Sequence, residues 1–208
     1  MTVEEAIRHR RSIRRFLPDA VNVKDLREML ALAALAPNVS NRQMWRFIVV
    51  IREELRHMLA HLVEAHLTAM GQWPECVHEG PRLRAWQEQA LHFAAAPACI
   101  FVVNQGYRTP LDQILVEHGM RHWETAGQFG HPDIQSVSCA MAYFTLLAEE
   151  RGYATCWLTA PLVARHDLHI ALECKPGEEL LAVLTIGKPA ESPLPKPRKP
   201  VDETIRWM

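Results

Sequence analysis

The sequence predicts a single α/β domain of the α+β type, and three observations support this prediction. The chain has 208 residues, which suffice for one well-buried domain and are too few for two full ones. Apolar residues make up 49% and charged residues 23% of the sequence, as is ordinary for a globular protein. Short apolar runs of strand length alternate with longer segments of helical periodicity; these runs cover residues 47–51, 98–103, 155–161 and 180–186.

Charge and cysteine usage exclude several classes of protein. The formal net charge of -1 gives no reason to expect affinity for nucleic acid or for an anionic membrane. We expect no membrane-spanning segment, because no apolar run reaches about 18 residues. We expect no signal peptide, because the chain begins with polar and charged residues. The five cysteines are widely spaced and lack a C-x-x-C motif, which favours buried thiols and a cytoplasmic location over disulfides or zinc ligands.

The most distinctive segment, Arg10–Phe16, carries four arginines and a serine within six residues. It follows a short helix in which Thr2 is a suitable N-cap and Glu5 can close a capping box. Guanidinium groups match the geometry of phosphate oxygens, and a serine hydroxyl adds a further donor. A cationic cluster in a nearly neutral chain therefore favours one compact anion, such as a phosphate group, with a solvated basic tail as the alternative.

A polar loop, residues 37–45, joins a helix predicted over residues 22–36 to the first strand. Asn22 is a suitable cap for this helix, and Pro37 ends it. A loop between a helix and a buried strand is a well-anchored place for ligand contacts. Its amide side chains, which either read the edge of a flat heterocycle or simply form a turn, are those of Asn38, Asn41 and Gln43.

The next helix, over residues 52–70, raises the question of a metal site. His57 and His61 are four residues apart and share a helix face. We expect a solvated histidine-rich helix instead, because no acidic or cysteine partner stands at a matching spacing. His118 and His122 repeat the pattern with the same weakness.

Further along, the chain contains a helix over residues 83–93 and a partly helical stretch over residues 106–132. The Gly-rich, aromatic patch at residues 127–130 is either part of a lid over a ligand or merely a connection. A further helix, over residues 133–151, is apolar nearly all round and ends before Gly152. A helix that is apolar on every face is buried either at the centre of the domain or in a subunit interface.

The C-terminal stretch differs in composition from the rest of the chain. It is rich in proline, which makes it extended and excludes it from the centre of a sheet. Lys196, Arg198 and Lys199 form a second cationic cluster there. Because Ile205 and Trp207 follow, we expect this tail to be wrapped on the protein surface rather than disordered.

These segments together resemble the FMN-dependent nitroreductase family over nearly the whole chain. The resemblance rests on Arg10–Phe16, Ala36–Asn38, Asn41–Phe47, Gly152–Leu158, Ile186–Pro189 and Arg198–Pro200. It implies a three-layer sandwich in which helices flank a central, mainly antiparallel sheet, and an intertwined homodimer with two flavin sites at its interface. It also implies one domain over residues 1–208, of which residues 188–208 form an extended C-terminal arm. The surroundings of Trp157 and the Arg198–Pro200 ending look especially similar to the flavin-binding half of deazaflavin-cofactor ligases.

Carried over residue by residue, the resemblance assigns contacts with FMN to several groups of residues. The residues that would bind the phosphate and ribityl end of FMN are Arg10, Arg11, Ser12 and Arg14. The same phosphate would also be contacted by Lys196 and Arg198. The loop that reaches the flavin from the partner subunit consists of Pro37, Asn38, Val39 and Asn41. The turn beside the isoalloxazine ring, where a backbone amide near Leu158 or Thr159 faces N5, consists of Trp157, Leu158, Thr159 and Ala160. A further contact falls to Gln135 or Ser136.

Two departures from the family pattern concern the loop before the first strand. Asn38 replaces a serine and Met44 replaces a proline. Asn38 still offers a donor, so we expect flavin binding to be retained. Methionine is expected to loosen the loop and to reshape the substrate pocket. Candidates for the roof of that pocket are His122, Trp123 and Phe129.

The resemblance implies an oxidoreductase with a ping-pong mechanism. NADH or NADPH would give hydride to flavin N5, and a small organic acceptor such as a nitro compound or a quinone would then take its place. The sequence contains no Gly-x-Gly-x-x-Gly motif, so we expect no separate dinucleotide domain, and no side chain is marked as a proton donor. The alternatives are a flavin-binding or sensing module without turnover and, on the same scaffold, enone reduction, dehalogenation, flavin fragmentation or deazaflavin modification.

Overall fold

The computed structural model describes the backbone of residues 1–208 and every side chain except those of residues 77, 78, 81, 122, 123 and 126. The strands are β1 Trp45–Val50, β2 Ala98–Asn104, β3 Ala154–Leu158 and β4 Glu179–Gly187. They form a sheet in the order β1-β2-β4-β3, in which every neighbouring pair is antiparallel. The predicted strands are therefore present, and the predicted antiparallel sheet is confirmed.

Helices cover both faces of the sheet. They are α1 Val3–His9, α2 Val23–Ala33, α3 Glu53–Met70, α4 Gly80–Leu91, α5 Pro110–Glu117, α6 His122–Gln128, α7 Pro132–Glu150 and α8 Arg165–Ala171. The predicted caps are present: the N–H of Glu5 donates to Thr2 Oγ1 at 3.2 Å, and that of Lys24 to Asn22 Oδ1 at 2.8 Å. No helix of the described residues combines the length and the apolarity needed to cross a bilayer.

The sheet has a hydrophobic core on each face, because alternate residues of a strand point to opposite sides. On one face Ile100 and Leu184 pack with Phe144 and other residues of α2 and α7. On the other face Phe101 packs with Leu168 of α8 and with residues of α3. All of β2 is buried, as expected for a strand that is covered on both faces. The predicted three-layer arrangement is thus confirmed.

Helix α7 is buried on only one side by its own chain. Val137, Ala140 and Phe144 face the core, whereas Ile134 and Tyr143 are exposed. A groove of about 440 Å³, lined mainly by apolar side chains, lies between α1, α2 and α7 beside Tyr143. The centre of the domain therefore accounts for one face of this helix, and the subunit interface stays a prediction for the other.

The basic segment runs along the edge strand β3 and then meets the beginning of the C-terminal arm. The N–H of Ile13 donates to the carbonyl of Thr155 at 3.0 Å, which places the arginines beside this strand. Three residues further on, Phe16 forms an antiparallel bridge with Pro189. The N-terminal basic segment and the arm are therefore neighbours, although they lie at opposite ends of the sequence.

The arm begins after Gly187, a position that leaves little room for a side chain. A β-carbon built at Gly187 would lie 2.8 Å from the ring of Pro97, closer than real contacts allow. Beyond residue 191 the arm is exposed, with Leu194 87% and Trp207 86% accessible. The resemblance links the wrapping of this tail to a homodimer, so wrapping on the protein surface stays a prediction for the residues beyond 191.

Candidate functional site

The two cationic clusters of the sequence meet in one cavity of about 830 Å³. One wall is the end of α1 with the segment that follows it, and the other wall is the arm. The residues that line the cavity are Ile7, Arg8, His9, Arg10, Arg11, Ser12, Arg14, Pro193, Leu194, Pro195, Lys196 and Arg198. All residues predicted for the phosphate end of a flavin are brought together here, and Arg8 joins them without having been predicted. No carboxylate is among these lining side chains, so the cavity suits a compact anion.

Hydrogen bonds to nearby main-chain carbonyls fix the guanidinium groups of two of these arginines. Arg11 Nη1 donates to the carbonyls of Arg8 and Arg10 at 2.7 and 2.8 Å. These carbonyls lie at the C-terminal end of α1, where a cation is favoured. Arg14 Nη1 donates to the carbonyl of Ser12 at 3.2 Å. The guanidinium groups of Arg11 and Arg14 are thus held by carbonyls of their own segment, independently of a ligand.

Glu191, which sequence reasoning missed, joins the arm to the basic segment. Its Oε1 accepts from the N–H groups of Arg14 and Arg15 at 2.7 and 3.2 Å, and its Oε2 accepts from Arg15 Nε at 2.9 Å. The N–H of Arg14, followed by the other donors, holds the pKa of this carboxyl below its usual range. The only sequence signal was an isolated acidic residue in a stretch that is otherwise basic and rich in proline.

The segment predicted to lie beside the flavin ring is the end of β3. Trp157 is 40% exposed, and at Thr159 the chain turns into a short 3-10 helix. Ser12 bridges to Thr155, two positions before Trp157, so the arginines and this turn lie at the same edge of the sheet. The predicted residues of this turn are Trp157, Leu158, Thr159 and Ala160, of which Leu158 is buried.

The loop after α2 is held in a strained conformation by its own hydrogen bonds. Ser40, Asn41 and Gln43 each have a φ of 51°, in the left-handed region. Asn38 closes the loop, because its Oδ1 accepts from the N–H of Gln43 at 2.9 Å and its Nδ2 donates to the carbonyl of Ala36 at 3.1 Å. Such left-handed residues cost about 1–3 kcal/mol each and concentrate at functional sites.

Ser136 ties this loop to α7. Its buried hydroxyl accepts from the N–H of Val39 at 3.2 Å and donates to the carbonyl of Pro132 at 2.6 Å. Gln135 is exposed, and its Nε2 donates to the carbonyl of Gly130 at 2.6 Å. Of the two predicted alternatives, Ser136 is therefore occupied within the chain and Gln135 is the one that is open to solvent.

A second cavity, of about 420 Å³, opens beside the loop at Val39. Apolar side chains dominate its lining, among them Tyr107, Leu111 and Phe129, and the carboxylates of Asp112 and Asp133 also line it. The stretch that was predicted as either a lid or a connection thus forms part of a cavity wall.

Other predictions about the substrate pocket have different outcomes. Phe129 lines the second cavity, whereas the side chains of His122 and Trp123 lie outside the described residues. Met44 is 3% exposed and packs in the core, and its expected effect on the substrate pocket stays a prediction. The loop before it is held by two hydrogen bonds of Asn38, and the expected loosening stays a prediction.

In a single chain, the predicted site residues fall into separate groups. Val39 lines the second cavity, and Pro37 and Asn41 belong to the same loop, but none of the loop residues lines the cationic cavity. Within one chain, this loop is therefore not part of the cationic cavity. The partner contribution expected from the resemblance stays a prediction.

The histidine pair on α3 does not form a metal site with its neighbours. His57 Nε2 lies 3.5 Å from Glu53 and His61 Nδ1 lies 3.3 Å from Glu64. The expectation that no acidic partner stands at a matching spacing was therefore wrong, because each histidine has a carboxylate of its own one helical turn away. Among the side chains that the structure describes, no group of three or more potential ligands could hold a metal ion.

Comparison with known proteins places this architecture in a family. The model of the nitroreductase family matches residues 7–188. MhqN of Bacillus subtilis (strain 168), provisionally named an NAD(P)H nitroreductase, is 26% identical, with 97% of each chain covered. Iodotyrosine deiodinase 1 of Sus scrofa is also 26% identical, over 97% of this chain and 66% of that protein.

A solved structure extends the likeness to the whole chain. The BluB-like flavoprotein from Clostridium difficile 630 superimposes with a TM-score of 0.87 and is 28% identical. The match covers 100% of this chain and 99% of that one. Because the family model spans most of the sequence and the antiparallel three-layer fold agrees with it, the chain belongs to the nitroreductase family.

Proposed function

We propose that this chain is an FMN-dependent oxidoreductase that takes electrons from NADH or NADPH and passes them to a small organic acceptor by a ping-pong mechanism. The observation that carries the proposal is the cationic cavity, in which two segments from opposite ends of the sequence converge. The similarity to a solved flavoprotein supports a flavin as the ligand. The five free cysteines support a cytoplasmic location.

The donors present fit the phosphate of FMN. At neutral pH a phosphate monoester carries nearly two negative charges and offers three acceptor oxygens. The cavity presents arginines on one wall and Lys196 and Arg198 on the other, without an opposing carboxylate in its lining. Forked guanidinium groups and a mobile ammonium group together match such an anion.

The remaining residues have roles in orientation. Bound FMN supplies reversible hydride acceptance at its N5 atom. The turn after Trp157 lies at the same edge of the sheet as Ser12, so its main-chain amides near Leu158 and Thr159 are suited to face the ring. No acidic or basic side chain of this chain is assigned as a proton donor.

The site is complete only in a homodimer. Leu35, Val3 and Tyr143 line the apolar groove between α1, α2 and α7 and are all exposed. Burying them against a second chain would remove this surface from water and bring the partner's loop to the flavin. Two copies would then form two flavin sites at their interface, with the cavity beside Tyr107 and Phe129 as the place for a small-molecule substrate.

The acceptor is the most variable part of the proposal. One relative is named as an NAD(P)H nitroreductase and another as an iodotyrosine deiodinase, so one scaffold carries more than one chemistry. Reduction of a nitro compound or a quinone is the first candidate. Dehalogenation, enone reduction, flavin fragmentation and deazaflavin modification are the alternatives on the same site, and a binding module without turnover is the alternative of another class.

An absorbance spectrum followed by an anaerobic titration tests the proposal. Purified protein, or protein supplied with FMN, should show flavin bands that bleach on addition of NADH or NADPH and return with a nitroaromatic compound or a quinone. Flavin that binds but is reduced by neither nucleotide would favour the binding module. Protein that takes up no FMN would refute the flavin assignment.

Light scattering tests the dimer separately. Leu35→Glu should yield monomers, because Leu35 is 75% exposed in the single chain and the charge would be buried only in the interface. Ile170→Glu is the matched control, because Ile170 is 63% exposed on α8, away from the groove. Equal behaviour of the two variants would refute this interface.

A further inference from the structure

We propose that Glu191 is a positioning residue that anchors the C-terminal arm to the arginine segment and thereby sets the reach of Lys196 and Arg198 towards the phosphate of a bound flavin. This inference rests on the proposed function, because it assumes a ligand with a phosphate group. It assigns no contact with the ligand to Glu191 itself. Its effect is expected to pass through the two cations of the arm.

The contacts of Glu191 are of a kind that fixes position. Its carboxylate accepts from two consecutive main-chain N–H groups, those of Arg14 and Arg15, at 2.7 and 3.2 Å. The side chain of Glu191 is 19% exposed, whereas that of Arg15, its ion-pair partner, is 79% exposed. An ion pair with so exposed a partner contributes little. The two main-chain bonds, which involve an ionised acceptor, therefore dominate its attachment.

Glu191 is also the last anchor before the cavity. Upstream of it, the N–H of Leu17 donates to the carbonyl of Lys188 and that of Ala190 to the carbonyl of Arg15, each at 2.9 Å. Downstream, among the described residues, hydrogen bonds of the arm join arm residues only to one another. The position of Lys196 and Arg198 relative to the arginines is therefore set at residue 191.

The arm is stiff enough to transmit that position. Prolines at 193, 195 and 197 favour an extended chain that rises about 3.1 Å per residue. Lys196 and Arg198 follow Glu191 by five and seven residues, which places their backbones about 16 and 22 Å from the anchor along a polyproline II chain. Both lengths are compatible with a fold back over the cavity, which residues 193–198 line.

If Glu191 instead repelled the phosphate, its substitution would raise the affinity for FMN rather than lower it, and this makes the inference testable. A carboxylate close to a cationic cavity can repel a phosphate, in which case Glu191→Gln would bind FMN more tightly than wild type. If Glu191 is an anchor, Glu191→Ala should bind FMN about tenfold more weakly or worse, because charge-assisted bonds to the main chain are lost. Glu191→Gln, which keeps a neutral acceptor, should fall between alanine and wild type.

The experiment measures the Kd of the full-length protein for FMN and for riboflavin, which lacks the phosphate, by quenching of flavin fluorescence. Glu191→Ala should lower the FMN-to-riboflavin affinity ratio about tenfold, with a smaller loss for Glu191→Gln. In a protein that already carries Lys196→Ala and Arg198→Ala, Glu191→Ala should have little further effect on this ratio. Glu203→Ala is the matched control, because Glu203 is an exposed acidic residue of the same arm that does not line the cavity.

Each other outcome has a definite meaning. Three results would overturn the anchoring role of Glu191 while leaving the flavin site intact. They are tighter FMN binding by Glu191→Gln, an unchanged affinity ratio in Glu191→Ala, and a loss that adds to that of the Lys196 and Arg198 substitutions. An equal loss of FMN and riboflavin binding would show a general structural role and overturn it as well. Failure of the wild type to bind either flavin would instead refute the proposed function, and the inference with it.

Discussion

Replacing Arg198 with alanine should weaken the binding of FMN and leave the binding of riboflavin nearly unchanged. Arg198 lines the cationic cavity, whereas Lys199, the next residue of the arm, does not line it. Lys199→Ala is therefore a matched control that removes the same charge from the same exposed segment. The comparison separates a contact with the phosphate from the general attraction of a basic arm.

The expected magnitude follows from the exposure of the site. A hydrogen bond to a charged group contributes about 1.5–3 kcal/mol. Arg198 is exposed, so water screens part of this and about 1–2 kcal/mol remains. At about 1.4 kcal/mol per tenfold change, this corresponds to a loss of roughly 5- to 30-fold in the affinity for FMN. Riboflavin offers no phosphate, so its affinity should change by less than about twofold.

Fluorescence titrations at low and at high salt measure both quantities. The loss caused by Arg198→Ala should shrink as salt rises, because the Debye length falls from about 30 Å at 0.01 M to about 10 Å at 0.1 M. If Lys199→Ala weakens FMN binding as much as Arg198→Ala does, the arm acts only through its net charge. If riboflavin binding falls in parallel with FMN binding, the cationic cavity does not hold the phosphate.

Three further predictions concern stability and thiol reactivity. Burial by itself would raise the pKa of Glu178, but hydrogen bonds from the N–H of Lys175 and from nearby side chains outweigh burial and lower this pKa. The ionised carboxylate of Glu178 therefore stabilises the fold at pH values above its pKa in the unfolded chain. Glu178→Gln should therefore lower the melting temperature near pH 7, and the difference from wild type should shrink below about pH 4; a constant difference would contradict this. Burial raises the pKa of Cys99 to about 12, so mass spectrometry should find its thiol unmodified by iodoacetamide until the protein unfolds; rapid labelling of the native protein would contradict the burial. Gly187→Ala should destabilise by about 1–3 kcal/mol in chemical denaturation, because the new methyl group meets Pro97, whereas Gly127→Ala, in helix α6, should not destabilise; equal effects would contradict the steric reason.

The core strands were predictable from sequence because their burial is recorded in continuous apolar runs. β2 and β4 are covered on both faces, so nearly every position along them is apolar. Their ends were less predictable, since hydrogen bonds rather than side-chain polarity decide them. β1 begins at Trp45, before the predicted residue 47, because Trp45 pairs with Asn104 across the sheet.

The site was predictable only as separate groups of residues. Basic clusters at both ends of the chain indicated an anion site, and their meeting in one cavity is the step that the local pattern did not contain. Contacts between residues far apart in the sequence leave no local pattern, and the bond between Glu191 and the N–H of Arg14 spans 177 positions. Met44 shows the converse, since a residue singled out for its place in a loop motif proved to be part of the core.

The two halves of the proposed site differ in how much order they have before a ligand arrives. The loop at Ser40 and Asn41 keeps its left-handed residues because Asn38 and Ser136 bind it from both sides, so a ligand need not supply the strain energy of about 1–3 kcal/mol per residue. Beyond Glu191 the arm lacks such bonds to the described residues of the domain, and a ligand must restrict its motion on binding. Contacts made by the arm should therefore contribute less to affinity than equal contacts made by this loop. Although its prolines stiffen it, the arm is free to move as a unit beyond Glu191 and can close after a flavin has entered, so loss of an arm cation should raise the rate of dissociation more than it lowers the rate of association.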